Sequence, residues 1–464
     1  MSATEALIAV LDLGKTNLKV LLATPDGEPV DRIAAANDAT RSQPYLAYDL
    51  DRLEAFFLDA LAELAQRHAI GAVVATAHGC AAVLVDETGP VLPMMDYEAP
   101  SPAWLDAAYA EQGPDYREVF CPVSAGVLRA AQQLMWQERE FPESVSRARH
   151  YLMAAQYFAW RLGGRPATEI SQIAAQNHLW APLAGGFSSI VMRRGWQRLL
   201  PSFAKAGEVL GTIAPTVAAR TGLAPQTHVL CGVHDSNANL YRYKAAGMAE
   251  ATILSTGTWM IGFSRARPLA TLEPGRAMVA NVDVDGEPIA STLTMTGREY
   301  AVLAGEASAA DEEALAATRH LIERRTFALP SFVEDDGAFP GRASRGRILG
   351  PPPETPAEKQ ALASLYAAFY ADFCLSALAS RAPVVVDGGF AANLVFGRLL
   401  AALRPEVQVL MSRSREGTAL GAALLWKRFE RRQKVTSVAL DPVSPYPVPG
   451  LAGAAREWAR LAAE

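Results

Sequence analysis

Cysteine is scarce in this chain: four in 464 residues, at Cys80, Cys121, Cys231 and Cys374, too scattered for a CxxC pair. That spacing argues against a zinc site or a disulfide framework and predicts reduced, buried thiols. Long apolar runs are also missing. None reaches the roughly 18 residues of a membrane-spanning helix, so no membrane partner is expected. A basic excess is absent, with 43 Lys plus Arg against 49 Asp plus Glu and a net charge of −6, so nucleic acid is not an expected partner either. The opening MSATEALIAVLDLGK has neither a basic n-region nor a cleavage site, and a cytoplasmic location is expected. Low-complexity segments are lacking too. What is present is a globular composition, half apolar and one-fifth charged, in a chain long enough for two or three domains.

An apolar run at 6–11 ends in Asp12-Leu13-Gly14-Lys15-Thr16-Asn17, and further runs at 18–23 and 29–34 flank the turn Pro25-Asp26-Gly27. These predict a three-stranded meander with a polar, glycine-bearing first turn. Leu53, Phe56, Phe57, Ala60, Leu61 and Leu64 recur at helical spacing, and 70–76 and 82–85 read as strands. The order predicts an α/β domain whose helices cover a mixed sheet. Between about 100 and 209 the chain turns to helices, at 125–139, 148–161 and 191–200, rich in Trp, Tyr, Arg and Gln. These read as substrate-recognition insertions. A strand at 229–233 then leads to Asp235.

The second half repeats the first: strand 251–255, turn Thr256-Gly257-Thr258, returning strand 259–264. Thr355-Pro356-Ala357-Glu358 opens a capped helix to about 380. Strand 383–386 meets Asp387-Gly388-Gly389, and a helix to 403, a strand at 407–411 and a small-residue helix from Glu416 follow. The halves divide near Tyr241, into 1–241 and 242–464, with a hinge expected at 239–247.

Taken alone, each glycine turn is also an ordinary hairpin turn, Gly388-Gly389 is also a tight β–α turn, and His78 and His234 are also packing residues. Two turns of one kind opening two similar halves point instead to a nucleotide held by paired hairpins. Backbone N–H groups and a threonine hydroxyl at such a turn can cradle phosphate. An acid such as Asp235, in the setting Gly232-Val233-His234-Asp235-Ser236, can deprotonate a hydroxyl beside it.

These residues resemble the FGGY carbohydrate kinases of the actin-like ATPase superfamily. The motifs run in the family's order: DxGxTxxK at Asp12 to Lys19, GxHDxxA at Gly232 to Ala238, STGTW at Ser255 to Trp259, GG-x3-N at Gly388 to Asn393, and EGxALGAA from Glu416. The resemblance implies two actin-like (ribonuclease H-like) α/β domains flanking a catalytic cleft, with ATP and Mg²⁺ as cofactors. It makes Asp235 the general base and Asp12 the metal-supporting acid. Gly14, Lys15, Thr16, Asn17, Lys19, Gly257 and Thr258 fall at the phosphates, and Gly388, Gly389 and Asn393 at the adenosine. His78, Gly79, Asp96, Tyr97 and His234 join Asp235 where relatives touch the sugar. Lys15 replaces a common threonine, and either adds a phosphate charge or faces solvent. GxHD with STGTW is most similar to the L-rhamnulose and L-fuculose kinase branch, with xylulose, ribulose or a polyol as further substrates. A small sugar is the expected partner, and a homodimer a candidate assembly. The rival readings are an actin-like or chaperone-like ATPase and a catalytically silent, sugar-responsive binding protein.

Overall fold

Leu7–Leu13 is buried at nearly every position, the pattern of a strand inside a sheet covered on both faces. The computed structural model describes residues 6–38, 40–124, 126–429 and 437–464. In it Leu7–Leu13 pairs antiparallel with Asn17–Ala23 and parallel with Ile70–Ala77. Pro29–Ala36 flanks Asn17–Ala23, and His228–Leu230 then Val209–Thr212 extend the other side. The covering helix Leu50–Ala65 buries Leu53, Phe57, Leu61 and Leu64, each contributing roughly 1.5–3 kcal/mol.

Six strands of the second sheet repeat this plan, and Met278–Val282 adds a seventh beyond Pro288–Thr294. Thr252–Thr256 pairs antiparallel with Met260–Ser264 and parallel with Val384–Gly388. Val409–Ser412 lies parallel beyond Val384–Gly388 and Leu440–Pro442 antiparallel beyond that, as His228–Leu230 and Val209–Thr212 do in the first sheet. This is the doubled α/β architecture implied by the resemblance. The helix Pro356–Ala377 starts as expected, with the Thr355 hydroxyl accepting from the Glu358 N–H at 3.1 Å. No helix among the described residues is long and apolar enough to cross a membrane.

The chain divides into Met1–Gly247 with Ala280–Pro288 and Gly417–Thr436, and Met248–Val279 with Ile289–Glu416 and Ser437–Glu464. The expected division at 241/242 lies close to the Gly247 boundary of these units. It would cut through one continuous helix, Asp235–Ala245, which also takes in most of the expected hinge. The later segment returns to the first unit because Gly417–Leu424 packs on that helix. A Cβ on Gly421 would stand 1.9 Å from the Ala238 carbonyl oxygen, so glycine allows the two backbones to meet.

Four local readings change, the first being the expected helix at 191–200, which is an α-helix at Ser189–Arg193 and a 3-10 helix at Trp196–Leu199. His150–Met153, expected as helix, is a strand antiparallel to Ala82–Val85, and the helix begins at Ala154. The expected strand 229–233 is two, His228–Leu230 and Val233–His234, broken where a Cβ on Gly232 would lie 2.5 Å from the Ala75 oxygen. The expected helix at 125–139 runs Ala130–Glu140, and residue 125 lies outside the described residues.

Candidate functional site

The first unit gathers its polar groups where its parallel strands end. Asp12 and Val233 are both register partners of Thr76, which puts the two acid-bearing motifs at one level of the sheet. Carboxyl ends of parallel strands are where open α/β sheets bind ligands. Asp235 starts the helix Asp235–Ala245, with its side chain about one-third exposed. Its Oδ1 accepts from Ser236 N at 2.5 Å and Ser236 Oγ at 3.1 Å, and lies 3.2 Å from His234 Nε2. Burial holds the His234 pKa below the usual imidazole range, so the ring is neutral near pH 7. Asn237 Nδ2 donates to His234 Nδ1 at 3.0 Å, which leaves the ring proton on Nε2, facing Asp235.

Gly79 lies against this pair, since a Cβ there would come 3.3 Å from His234 Nε2. The carbonyls of His78, Gly79 and Cys80 are each held by a side-chain amide: Gln172 at 2.9 Å, Asn177 at 2.7 Å and Gln133 at 2.9 Å. The sequence reading named the insertion but not these amides. His78 meets the Tyr48 hydroxyl at 3.0 Å, and Tyr97 packs edge-on to its ring. Burial pushes its pKa down to about 4, against the pull of Asp235 and Asp96. Several buried polar atoms here have no hydrogen-bond partner among the described residues, including Thr76 Oγ1, His78 Nδ1, Gln133 Oε1, Gln172 Oε1 and Asn237 Oδ1. Orphans of this kind mark a place where a polar ligand or water completes the network.

Lys15 pairs with acids far along the chain. Its ammonium lies 2.6 Å from each Asp96 oxygen and 3.2 Å from Glu98 Oε2. The Tyr97 and Tyr48 ring centroids are 4.8 and 5.6 Å away. The Asp96 side chain is 1% exposed, and a carboxylate so buried requires a counter-charge. The Lys15 side chain is 19% exposed and covers Asp96. The rest of the turn is a tight hairpin: Gly14 N–H donates to the Asn17 carbonyl at 3.0 Å and Asn17 Nδ2 to Thr16 Oγ1 at 3.0 Å. Lys19 stands opposite Asp12, with Nζ 3.5 Å from Oδ2.

In the second unit a cavity of about 360 Å³ is lined by Gly257, Tyr300, Gln360, Gly389, Phe390 and Asn393 among others. Gly257 and Gly389 have open space on their Cβ side, apart from the Thr256 oxygen 3.8 Å from a Cβ on Gly389. Gly388 does not: at φ +89°, a Cβ would lie 1.9 Å from the Thr256 oxygen. Thr256 Oγ1 donates to the Asp387 carbonyl at 2.6 Å and accepts from Phe390 N at 3.0 Å, tying turn and diglycine together. The Thr258 carbonyl accepts from Arg298 N at 3.2 Å. Asn393 spends its Oδ1 capping Leu394–Leu403 through Phe396 N at 2.9 Å, and its Nδ2 on Ser364 at 3.3 Å. Gly297, absent from the sequence reading, is required here, since a Cβ would fall 1.8 Å from the Gly257 oxygen.

No group of three or more His, Cys, Asp or Glu side chains suited to a metal occurs among the described residues. Asp12, a single carboxylate, still fits Mg²⁺, an ion that keeps several waters and takes one or two carboxylates plus substrate phosphates.

A family profile described as "FGGY family of carbohydrate kinases, N-terminal domain" matches residues 7–241, and one described as "Carbohydrate kinase FGGY, C-terminal domain" matches 248–435. The L-fuculokinase of Escherichia coli strain K12 is 26% identical over 277 residues, and the match spans 58% of each chain. That of Salmonella typhi is 24% identical over 266 residues, spanning 55% of this chain and 56% of the other. A carbohydrate kinase structure from Novosphingobium aromaticivorans shares 31% identity, with a TM-score of 0.86 and 99% of both chains covered. The ligand-bound xylulose kinase of Lactobacillus acidophilus has a TM-score of 0.81 over 98% of this chain and 97% of its own. At 16% identity that likeness is one of fold.

Proposed function

The chain belongs to the FGGY family of carbohydrate kinases, and from that premise we propose that it transfers the γ-phosphoryl group of ATP to a hydroxyl of a ketose or related sugar, of L-fuculose or L-rhamnulose type. The observation that carries the reading is the arrangement at Asp235. Among the described residues the hydrogen bonds to this carboxylate, from Ser236 N and Oγ, fall on Oδ1, as does the 3.2 Å approach of His234 Nε2, which leaves Oδ2 to accept a proton. The sugar oxygen forms a bond to the γ-phosphorus as the bond to the β,γ-bridging oxygen breaks. The hydroxyl proton passes to Asp235 Oδ2, and ADP departs with the electron pair. Neutral His234 steadies the carboxylate without protonating it. The turns at Gly14-Thr16-Asn17 and Gly257-Thr258, with Lys19, serve the phosphates, and the cavity at Gly389 and Asn393 serves the adenosine. Asp12 would hold Mg²⁺ through water, and the ion would neutralise charge on the phosphates. Catalysis of this kind rests on positioning and charge stabilisation.

A coupled ADP-release screen with Mg²⁺ and ATP over ketoses, aldoses and polyols tests the reading. Sugar-dependent release is expected, and Asp235→Asn should lower kcat roughly 10²–10⁴-fold with little change in sugar KM. Near-normal turnover in a folded Asn variant removes Asp235 as base. Fast release without any sugar favours the ATPase reading.

A further inference from the structure

Lys15 leaves the first glycine turn and ends on the wall that carries Asp96, Tyr97 and Glu98. Asp96 is spent inside the protein: both oxygens accept from Lys15, and Oδ1 also accepts from the Glu98 N–H at 2.9 Å. With 1% of its side chain exposed, it is not the group a ligand meets. The reachable charges on this wall are Lys15, 19% exposed, and Glu98, 34% exposed. They stand 3.2 Å apart, a donor beside an acceptor. Two neighbouring hydroxyls of a sugar present the complementary pair, one oxygen to accept from the ammonium and one O–H to donate to the carboxylate. The ammonium is already fixed by Asp96 and by the faces of Tyr48 and Tyr97, so little ordering remains when a ligand binds.

Charge narrows the ligand further. One ammonium faces two carboxylates on this wall, and Asp235 is close enough, like Asp96 and Lys15, to act on the ring of His78. The neighbourhood is net negative, which repels a second anion. We propose that Lys15, positioned by Asp96, is a substrate-selecting residue that reads a vicinal diol together with Glu98, and that the substrate is a neutral sugar rather than a sugar acid. The proposal rests on the kinase reading above, deepens it, and moves Lys15 from the phosphates to the sugar.

The test is steady-state kinetics of the full chain with L-fuculose, L-rhamnulose and D-xylulose, and with L-fuconate as the acid. Lys15→Met should raise the KM of the accepted sugar about 10–100-fold, the scale of a lost charge-assisted hydrogen bond, and leave the KM for ATP unchanged. Asp96→Asn should reproduce that pattern more weakly. L-Fuconate should be the poorer substrate of the parent, and Glu98→Gln should narrow the gap. A raised ATP KM with the sugar KM unmoved returns Lys15 to the phosphates and overturns the proposal, as does a variant equal to the parent in both. A parent that prefers the acid overturns the neutral-substrate half. If Lys15→Met fails to fold because Asp96 is left unpaired, the double variant Lys15→Met with Asp96→Asn removes both charges and carries the same readout. A parent that phosphorylates no sugar defeats the kinase reading instead. Calorimetric binding of the same sugars to parent and variant then decides Lys15 separately, and equal binding or none overturns it.

Discussion

Glu169 is wholly buried, and its carboxylate accepts from Ser171 N at 3.0 Å, Ser171 Oγ at 2.7 Å and Gln172 N at 2.9 Å. Burial outweighs these bonds and pushes its pKa from 4.5 up to about 7. The sign follows from linkage. A carboxyl whose pKa is raised on folding stabilises the fold fully below its unfolded pKa, and that contribution is lost as pH rises through the folded value. The window is therefore pH 4.5 to about 7, with about 3 kcal/mol at stake across it. Glu169→Gln removes the titration, so its unfolding free energy should change less with pH than the parent's over that window. Urea unfolding at several pH values reads this directly, and parallel curves would exclude Glu169 as the titrating group. The position matters to the site because Ser171 Oγ also accepts from the His234 N–H at 3.4 Å, one residue before the proposed base.

Among the elements, the diglycine shows why two adjacent glycines need not share a task. Gly388 has φ +89° and ψ −146°, a region reserved for glycine, and its absent side chain admits the Thr256 carbonyl. Gly389 faces the cavity. Gly388→Ala should therefore cost about 3 kcal/mol or more of stability, whereas Gly389→Ala should leave unfolding near the parent's and act on nucleotide affinity. Thermal unfolding of the two variants side by side checks the assignment, and equal losses would refute it. The resemblance alone places both at the adenosine. The strands and turns were legible in the sequence because Leu7–Leu13 and Thr252–Thr256 pair with neighbours a short turn away. The strand His150–Met153 was not, since its four residues run straight into a helix and its partner Ala82–Val85 lies far back in the chain. The amides of Gln133, Gln172 and Asn177 were hidden for the same reason: each serves a carbonyl 53, 94 or 98 residues away. Lys15 shows a further limit, because a turn fixes where a side chain starts and the distant Asp96 fixes where it ends.

For the whole molecule, the proposed roles give a repeated sheet a division of labour. The first unit holds Asp235, His78 and Lys15, and the second holds the cavity at Gly257 and Gly389. Damage to one set of groups should then be separable from damage to the other. Gly389→Leu is the sharper probe of this, because a Cβ at Gly389 meets nothing nearer than the Thr256 oxygen at 3.8 Å, so the added side chain fills the cavity without straining the backbone. The ATP KM should rise, while sugar binding without nucleotide should match the parent. Thermal denaturation reads the second half of that statement: sugar at 100 times its Kd stabilises a folded site by about 2.7 kcal/mol, and the shift should survive the substitution. Lys15→Met should show the converse, with the nucleotide shift kept and the sugar shift reduced. If Gly389→Leu abolishes both shifts, the substitution has damaged folding and the division fails. If it abolishes the sugar shift alone, the cavity belongs to the sugar and the nucleotide assignment is wrong.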